Sequence, residues 1–388
     1  MMSGSTSIHV TPVSFTTDSC SSLLSGDNPI IVGFGAVHQI AEFIRASPCL
    51  SDSTDLILIA EAKVSSIFGP TVRERLLKTG KIVHDMQLSV ANGTKDINTL
   101  QRVYDYLMSI KADGGTLIIA LGGGVLIDVV GFAAATFHRG LNYIAVPTTL
   151  VAQIDGAIGG TVGIHYGGYT NYVGMRYLPQ LVVVDPALLE TLPWQEFRCG
   201  LAEIIKQCVV SDSALFEHLS RQSPGAIRDR NSLTELIWRV IRGKADLLRQ
   251  GTDWALNFGH TIGQAVENLA GHDRIRHGEA VSIGMVGAAY MSSSLRLMSV
   301  ADSHKISAIL QKFTLPIRVP TEVAEARGLV AKDDLADRLL ASTKRDKKSK
   351  GGALNWIIPT GIGSYKTMRV EESVVKSTLF ELLCDLPG

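Results

Sequence analysis

The run from Gly115 to Asn171 constrains this chain more than any other stretch: GTLIIALGGGVLIDVVGFAAATFHRG, then LNYIAVPTTLVAQIDGAIGG, then TVGIHYGGYTN. Thr116 to Leu121 has the length and apolar density of a buried strand, and three glycines, Gly122, Gly123 and Gly124, separate it from a helical stretch. Glycine at that junction lets backbone N–H groups close on a phosphate where the helix begins. A second apolar strand, Leu141 to Val146, stops at Pro147 and presents the hydroxyls of Thr148 and Thr149 at its carboxyl end, where open α/β sheets keep their ligands. This is dinucleotide geometry, and it predicts a Rossmann-like parallel sheet.

Leu117 to Phe137 is also long and apolar enough to imitate a membrane span. The adjacent glycines and Asp128 within it argue instead for a strand, a turn and a buried helix. A chain of 388 residues exceeds what one ordinary core supports, so two domains are expected. Hydrophobic residues make up 46% and charged ones 19%, a globular rather than a disordered balance. Lys+Arg and Asp+Glu both number 37, so no net field draws the protein to nucleic acid or a membrane surface, and any anion site must be local. Cys20, Cys49, Cys199, Cys208 and Cys384 have neither CxxC spacing nor the density of a disulfide framework. The start, MMSGSTSIHVTPVSF, lacks a basic segment followed by an apolar run, so reduced thiols in a cytoplasmic protein are expected.

In chain order, the Ser/Thr-rich first thirty residues read as an edge strand or a loose arm. Pro29 to Val37 reads as a strand with a tight Gly33/Gly35 turn into a helix, and Asp55 to Val64 as the next strand. Glu61, at that strand's carboxyl end, is either a ribose-binding acid or a solvated turn residue, and position alone does not choose. Asn98 to Lys111 has helical spacing. Alternating strands and helices predict βαβ units. Beyond Leu181 to Pro193 the apolar residues recur at three and four, which places a boundary near Leu192: an α/β domain over 1–192 and a mainly helical domain over 193–388. One short late strand, Ala353 to Pro359, follows the basic stretch Lys344 to Lys350.

Three stretches of the helical half carry chemistry. GLAEIIKQ puts Glu203 and Lys206 at i and i+3 on one helix face. NFGHTIGQAVE sets His260 a turn from both Asn257 and Gln264, and RHGEAVSIGM carries His277 before a glycine and an apolar helix. Two imidazoles and a carboxylate form a ligand set for a catalytic Zn²⁺ with a position left for substrate oxygens. Taken singly, each has a plainer explanation, a solvated glutamate or a packed histidine. Spacing along a sequence does not establish convergence in space.

GGGVLIDVVGFAAATFHRG, VPTTLVAQID, TLPWQEFRCGLAEIIKQ, NFGHTIG and RHGEAVSIGM together resemble the 3-dehydroquinate synthase family, the sugar-phosphate cyclases, in the same order from about Gly93 to the C-terminus. The glycerol dehydrogenase group shares the fold in outline but is not expected to share LPxxExxxGLAEIIK or HGEAVxxGM. The resemblance implies Glu203, His260 and His277 as ligands of Zn²⁺ or Co²⁺. It implies NAD held by Lys95, by Gly123, Gly124 and Val125 with Asp128, by Thr148 and Thr149, and by Leu188 to Thr191. Asp155, Lys206, Lys244 and Asn257 would surround a sugar phosphate, with Arg139 reaching the phosphate from the neighbouring subunit of a homodimer and Lys347 and Lys348 closing over it. Enzymes of the family oxidise one alcohol with tightly held NAD⁺, and the new ketone acidifies the adjacent C–H. Phosphate leaves, the hydride returns, and the opened enol adds to the substrate's own carbonyl to close a carbocycle. A metal to polarise the hydroxyl and cations to stabilise departing phosphate suit that chemistry.

The departures bear on substrate. The stretch GGTVGIHYGGYTN reads GGKTGIN and GKN in the family, so Thr161 and Thr170 stand at two cofactor-side lysine positions while Asn171 remains. HTFGH becomes HTIGQ, putting Gln264 where a histidine is expected, and Asp253 occupies the place of an arginine associated with the substrate's carboxylate. A guanidinium binds a carboxylate through paired hydrogen bonds, whereas an aspartate repels it. Either the substrate is a ketose phosphate without a carboxylate, or the shortened loop lets another cation such as Arg249 substitute. An NAD-dependent alcohol dehydrogenase is the rival class, separated by Lys206, Arg139 and the Lys347/Lys348 loop, which a phosphate-free alcohol does not require.

Overall fold

The structure, a computed structural model, describes residues 9–13, 28–90, 94–271, 274–321, 323, 332–344 and 354–383. They fall into two compact units, one within Met1–Pro193 and Asp229–Arg249, the other within Trp194–Arg228 and Gln250–Gly388. The chain leaves the first unit after Pro193 and returns to it for 229–249, a segment that lies beyond Leu192 in chain order. An amphipathic helix requires an apolar partner, and its sequence does not say which.

In the first unit, seven strands run β1 (His9–Val13), β2 (Asn28–Val32), β3 (Leu56–Glu61), β4 (Val83–Leu88), β5 (Leu117–Gly122), β6 (Tyr143–Pro147) and β9 (Leu181–Val184) in chain order. Across the sheet the order is β1-β2-β9-β6-β5-β3-β4, with β1 antiparallel at the edge and the other six parallel. Helices α1 (Ile40–Ala46), α2 (Pro48–Ser51), α3 (Ala62–Leu77), α4 (Ile97–Ser109), α5 (Gly124–Thr136) and α8 (Arg230–Arg249) complete this unit. The inner strands are apolar on both faces because both are covered. Leu56, Leu58, Leu117, Ile119, Leu121, Ile144 and Val146 meet Ile40, Ile44, Val72 and Leu76 on one side. β4 escapes the sequence reading because only Val83, Met86 and Leu88 are buried along it, as befits an edge strand.

The chain turns outward from β3 to β4 and the opposite way from β5 through β6 to β9, so the winding reverses between β3 and β5. The carboxyl ends of those two strands carry Glu61 and the glycine turn, where doubly wound sheets bind their ligands. A separate hairpin, β7 (Thr161–Tyr166) and β8 (Tyr169–Arg176), packs through β7 against α5. Gly167 and Gly168 join it with φ of 59° and 81°, a two-residue turn that matches the twist of paired strands.

The second unit is mainly helical: α6 (Trp194–Ser211), α7 (Ser213–Arg221), α9 (His260–Ala270), α10 (His277–Ser294), α11 (Val300–Lys312), α12 (Lys332–Thr343) and α13 (Glu372–Leu382). α10 touches α6, α9, α11, α13 and the strand Trp356–Gly361, so it is apolar around its circumference rather than along one stripe. That strand, β10, is the late strand expected from sequence and pairs with β11 (Ser364–Met368). Among the described residues no helix is long and apolar enough to cross a membrane.

Candidate functional site

The second unit gathers Glu203 from α6, His260 from the first position of α9 and His277 from the first position of α10. One ligand atom from each lies within 4.8 Å of the others. Nε2 of His277 is 3.5 Å and Nε2 of His260 3.9 Å from the same atom, Oε1 of Glu203. Each ring is turned by its other nitrogen: Nδ1 of His260 lies 3.2 Å from the carbonyl oxygen of Phe258, and Nδ1 of His277 lies 3.0 Å from Oε1 of Glu267. Such partners fix tautomer and orientation in metal centres. Glu203 is 3% exposed, and neither carboxylate oxygen has a hydrogen-bond partner, although the Lys206 ammonium pairs with Oε2 from one turn away. Lys206 answers Oε2, whereas Oε1 is buried without a hydrogen bond and faces both imidazoles, so the donor set fits a divalent ion. Burial pulls the His277 pKa down, but the carboxylates of Glu267 and Glu203 outweigh it and raise it to about 9.

Three glycines bring the helices this close. A Cβ on Gly278 would stand 2.4 Å from Cα of Cys199, and one on Gly284 would stand 1.9 Å from the carbonyl oxygen of Gly259. Gly259 itself has φ of 77° and precedes His260, so its left-handed backbone sets the start of α9. Asn257 closes a turn by donating from Nδ2 to the Trp254 carbonyl, 2.9 Å, and Gln264 is half-buried one turn beyond His260 on α9. Asp253 opens that same turn.

In the first unit, Gly123 caps α5 with no side-chain hydrogen bond, and a Cβ on Gly124 would meet open space. The helix amino terminus, with Val125 in its first turn, is thus accessible to an anion. The three glycines all have ordinary φ, so they serve close approach rather than unusual backbone: a Cβ on Gly123 would lie 3.2 Å from Thr149 Cγ2. Thr149 Oγ1 accepts from the Ala152 N–H at 3.2 Å, and the buried Thr148 donates its N–H to Gly122 at 2.9 Å. Lys95, also buried, donates from Nζ to both Asp128 and Asn171. Burial raises the Asp128 pKa against the opposing pull of Lys95, with Asp155 adding to the rise. Lys244 of α8 donates to the Asp155 carbonyl and to its Oδ1, both at 2.7 Å. Two buried lysines, each tied to a carboxylate, therefore stand beside the glycine turn's helix.

The other candidates are placed less centrally. Arg139 is exposed, in a run His138, Arg139, Gly140 whose φ values are 49°, 67° and 130°. Two non-glycine residues held there carry strain of the kind kept at functional sites. Glu61 is half-buried and begins α3 without a side-chain cap; Thr161 is exposed and Thr170 half-buried on the hairpin. Leu188 packs its side chain into the core while Thr191 is exposed, so only backbone groups of the former would face a ligand. Lys347 and Lys348 lie outside the described residues. Sequence reasoning passed over Glu267, seven residues after His260 on the same helix face, and Asp185, which accepts from the N–H groups of Gly35, Val37 and Ala187.

A family model described as 3-dehydroquinate synthase N-terminal matches residues 85–199, and one described as 3-dehydroquinate synthase C-terminal matches 200–349. A 3-dehydroquinate synthase from Acaryochloris marina is 35% identical over 361 residues, covering 90% of this chain and 94% of the relative. A 2-epi-5-epi-valiolone synthase from Streptomyces hygroscopicus subsp. jinggangensis, solved with NAD⁺ and Zn²⁺ bound, superposes with a TM-score of 0.82 at 25% identity, covering 93% and 98%. A 2-deoxy-scyllo-inosose synthase complexed with carbaglucose-6-phosphate, NAD⁺ and Co²⁺ gives 0.80 at 23%, covering 92% and 97%, a likeness of fold.

Proposed function

The chain belongs to the 3-dehydroquinate synthase family of carbon–oxygen lyases, and from that premise we propose a cyclase whose substrate is a ketose phosphate without a carboxylate. A seven-carbon sugar such as sedoheptulose 7-phosphate, closing to a valiolone-like cyclitol, suits the chain's charges best. The observation that carries this reading is Asp253, where the family's carboxylate-associated arginine is expected. Arg249, the candidate substitute, is engaged on its own helix by Asp246, Nη2 to Oδ1 2.8 Å.

The site residues divide the work as follows. Glu203, His260 and His277 would hold Zn²⁺ or Co²⁺, which when bound supplies Lewis-acid polarisation of a substrate oxygen. Lys206, buried beside Glu203, would stabilise negative charge as the substrate reacts. The glycine turn, with Thr148, Thr149, Lys95 and Asp128, would hold NAD, and Asp155, Lys244 and Asn171 would orient the substrate's polar groups. Hydride is taken and returned, so no net redox change results. Arg139, exposed on a strained turn, would serve a neighbouring copy in a homodimer. The described cysteines Cys49, Cys199 and Cys208 are free, as a cytoplasmic setting allows.

The second reading is 3-dehydroquinate synthase itself, favoured by the name of the relative at 35% identity. Phosphate release is to be measured in parallel from sedoheptulose 7-phosphate, the acid-bearing heptulosonate phosphate and a hexose phosphate, with NADH followed by absorbance and ring products by NMR. Release from the neutral-headed sugar without NADH accumulation supports the proposal. Turnover of the keto-acid phosphate alone gives the second reading, and stoichiometric NADH gives a simple dehydrogenase.

A further inference from the structure

Two ion pairs join α6 to the start of α10 close in sequence to the metal ligands. Arg198 of α6 donates from Nη2 to Oε1 of Glu279, and the two side chains are only 20 and 11% exposed. The other amino group of Arg198 donates to the Thr314 carbonyl at 2.6 Å, in a turn beyond α11 where Thr314 has φ of 59°. Oε2 of Glu279 accepts the Arg276 N–H at 3.0 Å and so caps the first turn of α10. Arg276 in turn donates from Nε to Oε1 of Glu196 on α6 at 2.7 Å. One oxygen of Glu279 therefore holds the backbone that opens α10, and the other holds α6.

We propose that Arg198 and Glu279 are positioning residues that hold His277 in register with Glu203, so that metal affinity depends on a pair outside the ligand set. The pair flanks the point where the two helices meet: Arg198 precedes Cys199, and Glu279 follows Gly278, the glycine that lies against it. Apolar contact lets α10 come close, but it is non-directional and leaves the helix free to turn or slide. A guanidinium forked between two fixed acceptors is directional. Losing the Glu279 carboxylate would also return the Arg276 N–H to the unpaired donors that open a helix, and His277 is the first residue of that turn. His260 starts a different helix, so the expected fault is confined to one ligand. Burial sharpens the effect, because removing one partner leaves the other charge unpaired out of water, whereas removing both does not. The proposal rests on the metal reading of Glu203, His260 and His277 above.

The test is a double-variant cycle on the full chain. Zn²⁺ affinity is read by calorimetric titration of chelator-stripped protein, and coordination from the visible absorption of the Co²⁺-loaded protein. Arg198→Met and Glu279→Gln should each weaken Zn²⁺ about tenfold, the lower end of losses from groups outside a metal's ligand shell, and alter the Co²⁺ spectrum. The double variant should also lose about tenfold, rather than the roughly hundredfold of two independent sites. Arg198→Lys keeps the charge and a donor for Glu279, and should recover most of the affinity and the wild-type spectrum. Should Arg198→Met fail to fold, Glu279→Gln decides, since its side chain retains an oxygen to cap the helix. Variants that melt lower yet bind Zn²⁺ as wild type does, with an unchanged Co²⁺ spectrum, mark the pair as merely structural and overturn the proposal. A double variant about a hundredfold weaker overturns it too. A wild type that takes up no divalent ion overturns the metal reading and the positioning role with it, so the wild-type titration tells the two failures apart.

Discussion

Replacing Gly278 with alanine is expected to cost the protein its metal before it costs the fold. The added Cβ would lie 2.4 Å from Cα, 2.6 Å from the carbonyl oxygen and 2.7 Å from Cβ of Cys199. Carbon atoms rest at about 3.5–4.0 Å, so α6 and α10 must part by about 1 Å, and the obstructing atoms are mostly backbone that cannot swing aside. Both sides of that gap carry a ligand: His277 precedes Gly278, and Glu203 lies one turn beyond Cys199. Metal sites tolerate deviations of about 0.2 Å, so the 3.5 Å approach of Nε2 to Oε1 would open past use. Overpacking of this kind costs about 1–3 kcal/mol, and a unit of this size loses about 2–4 °C per kcal/mol. Calorimetric titration of chelator-stripped protein with Zn²⁺ should show at least a roughly tenfold weaker site, and thermal melts a drop of several degrees. Gly225→Ala, whose Cβ meets nothing within 4 Å, is the control and should change neither. If Gly278→Ala takes up Zn²⁺ with wild-type affinity and melts at the same temperature, the close approach of α6 to α10 does not set the site.

Four further outcomes are expected. Glu267→Gln keeps a hydrogen-bonding group beside Nδ1 of His277 but loses the charge, and titration should show metal affinity lowered by about tenfold with far-ultraviolet circular dichroism unchanged. Because His277 without metal has a pKa raised from 6.5 to about 9, metal uptake must expel its proton, and apparent Zn²⁺ affinity should climb about tenfold per pH unit until about pH 9 and then flatten. The same raised value stabilises the metal-free fold fully below pH 6.5 and is lost as pH rises through about 9, so melts in chelator should fall across that window and a flat profile would contradict it. Stripping the metal should abolish phosphate release while NADH fluorescence titration remains near wild type, since the ligand set and the glycine turn belong to different units; parallel loss of both would count against the assignment.

The sequence by itself determined the parallel sheet and the glycine turn at its switch point, and it named the three candidate metal ligands. Apolar runs bounded by glycine and proline are local signals, and the five motifs kept their order. It also identified Asp253, because a charge reversal is a property of one letter. Tertiary structure alone decided that Glu203, His260 and His277, 74 residues apart from first to last, direct one atom each toward a common point, and that Glu267 turns one of the rings. It decided that α8 carries Lys244 to Asp155 in the first unit, although the chain visits the second unit before it. An amphipathic stripe states only that a face must be buried, and which face covers it depends on long-range packing that no local pattern encodes. The hairpin shows the same division: Gly167-Gly168 is a legible turn, whereas the exposure of Tyr169 and Tyr172 follows from where β7 meets α5.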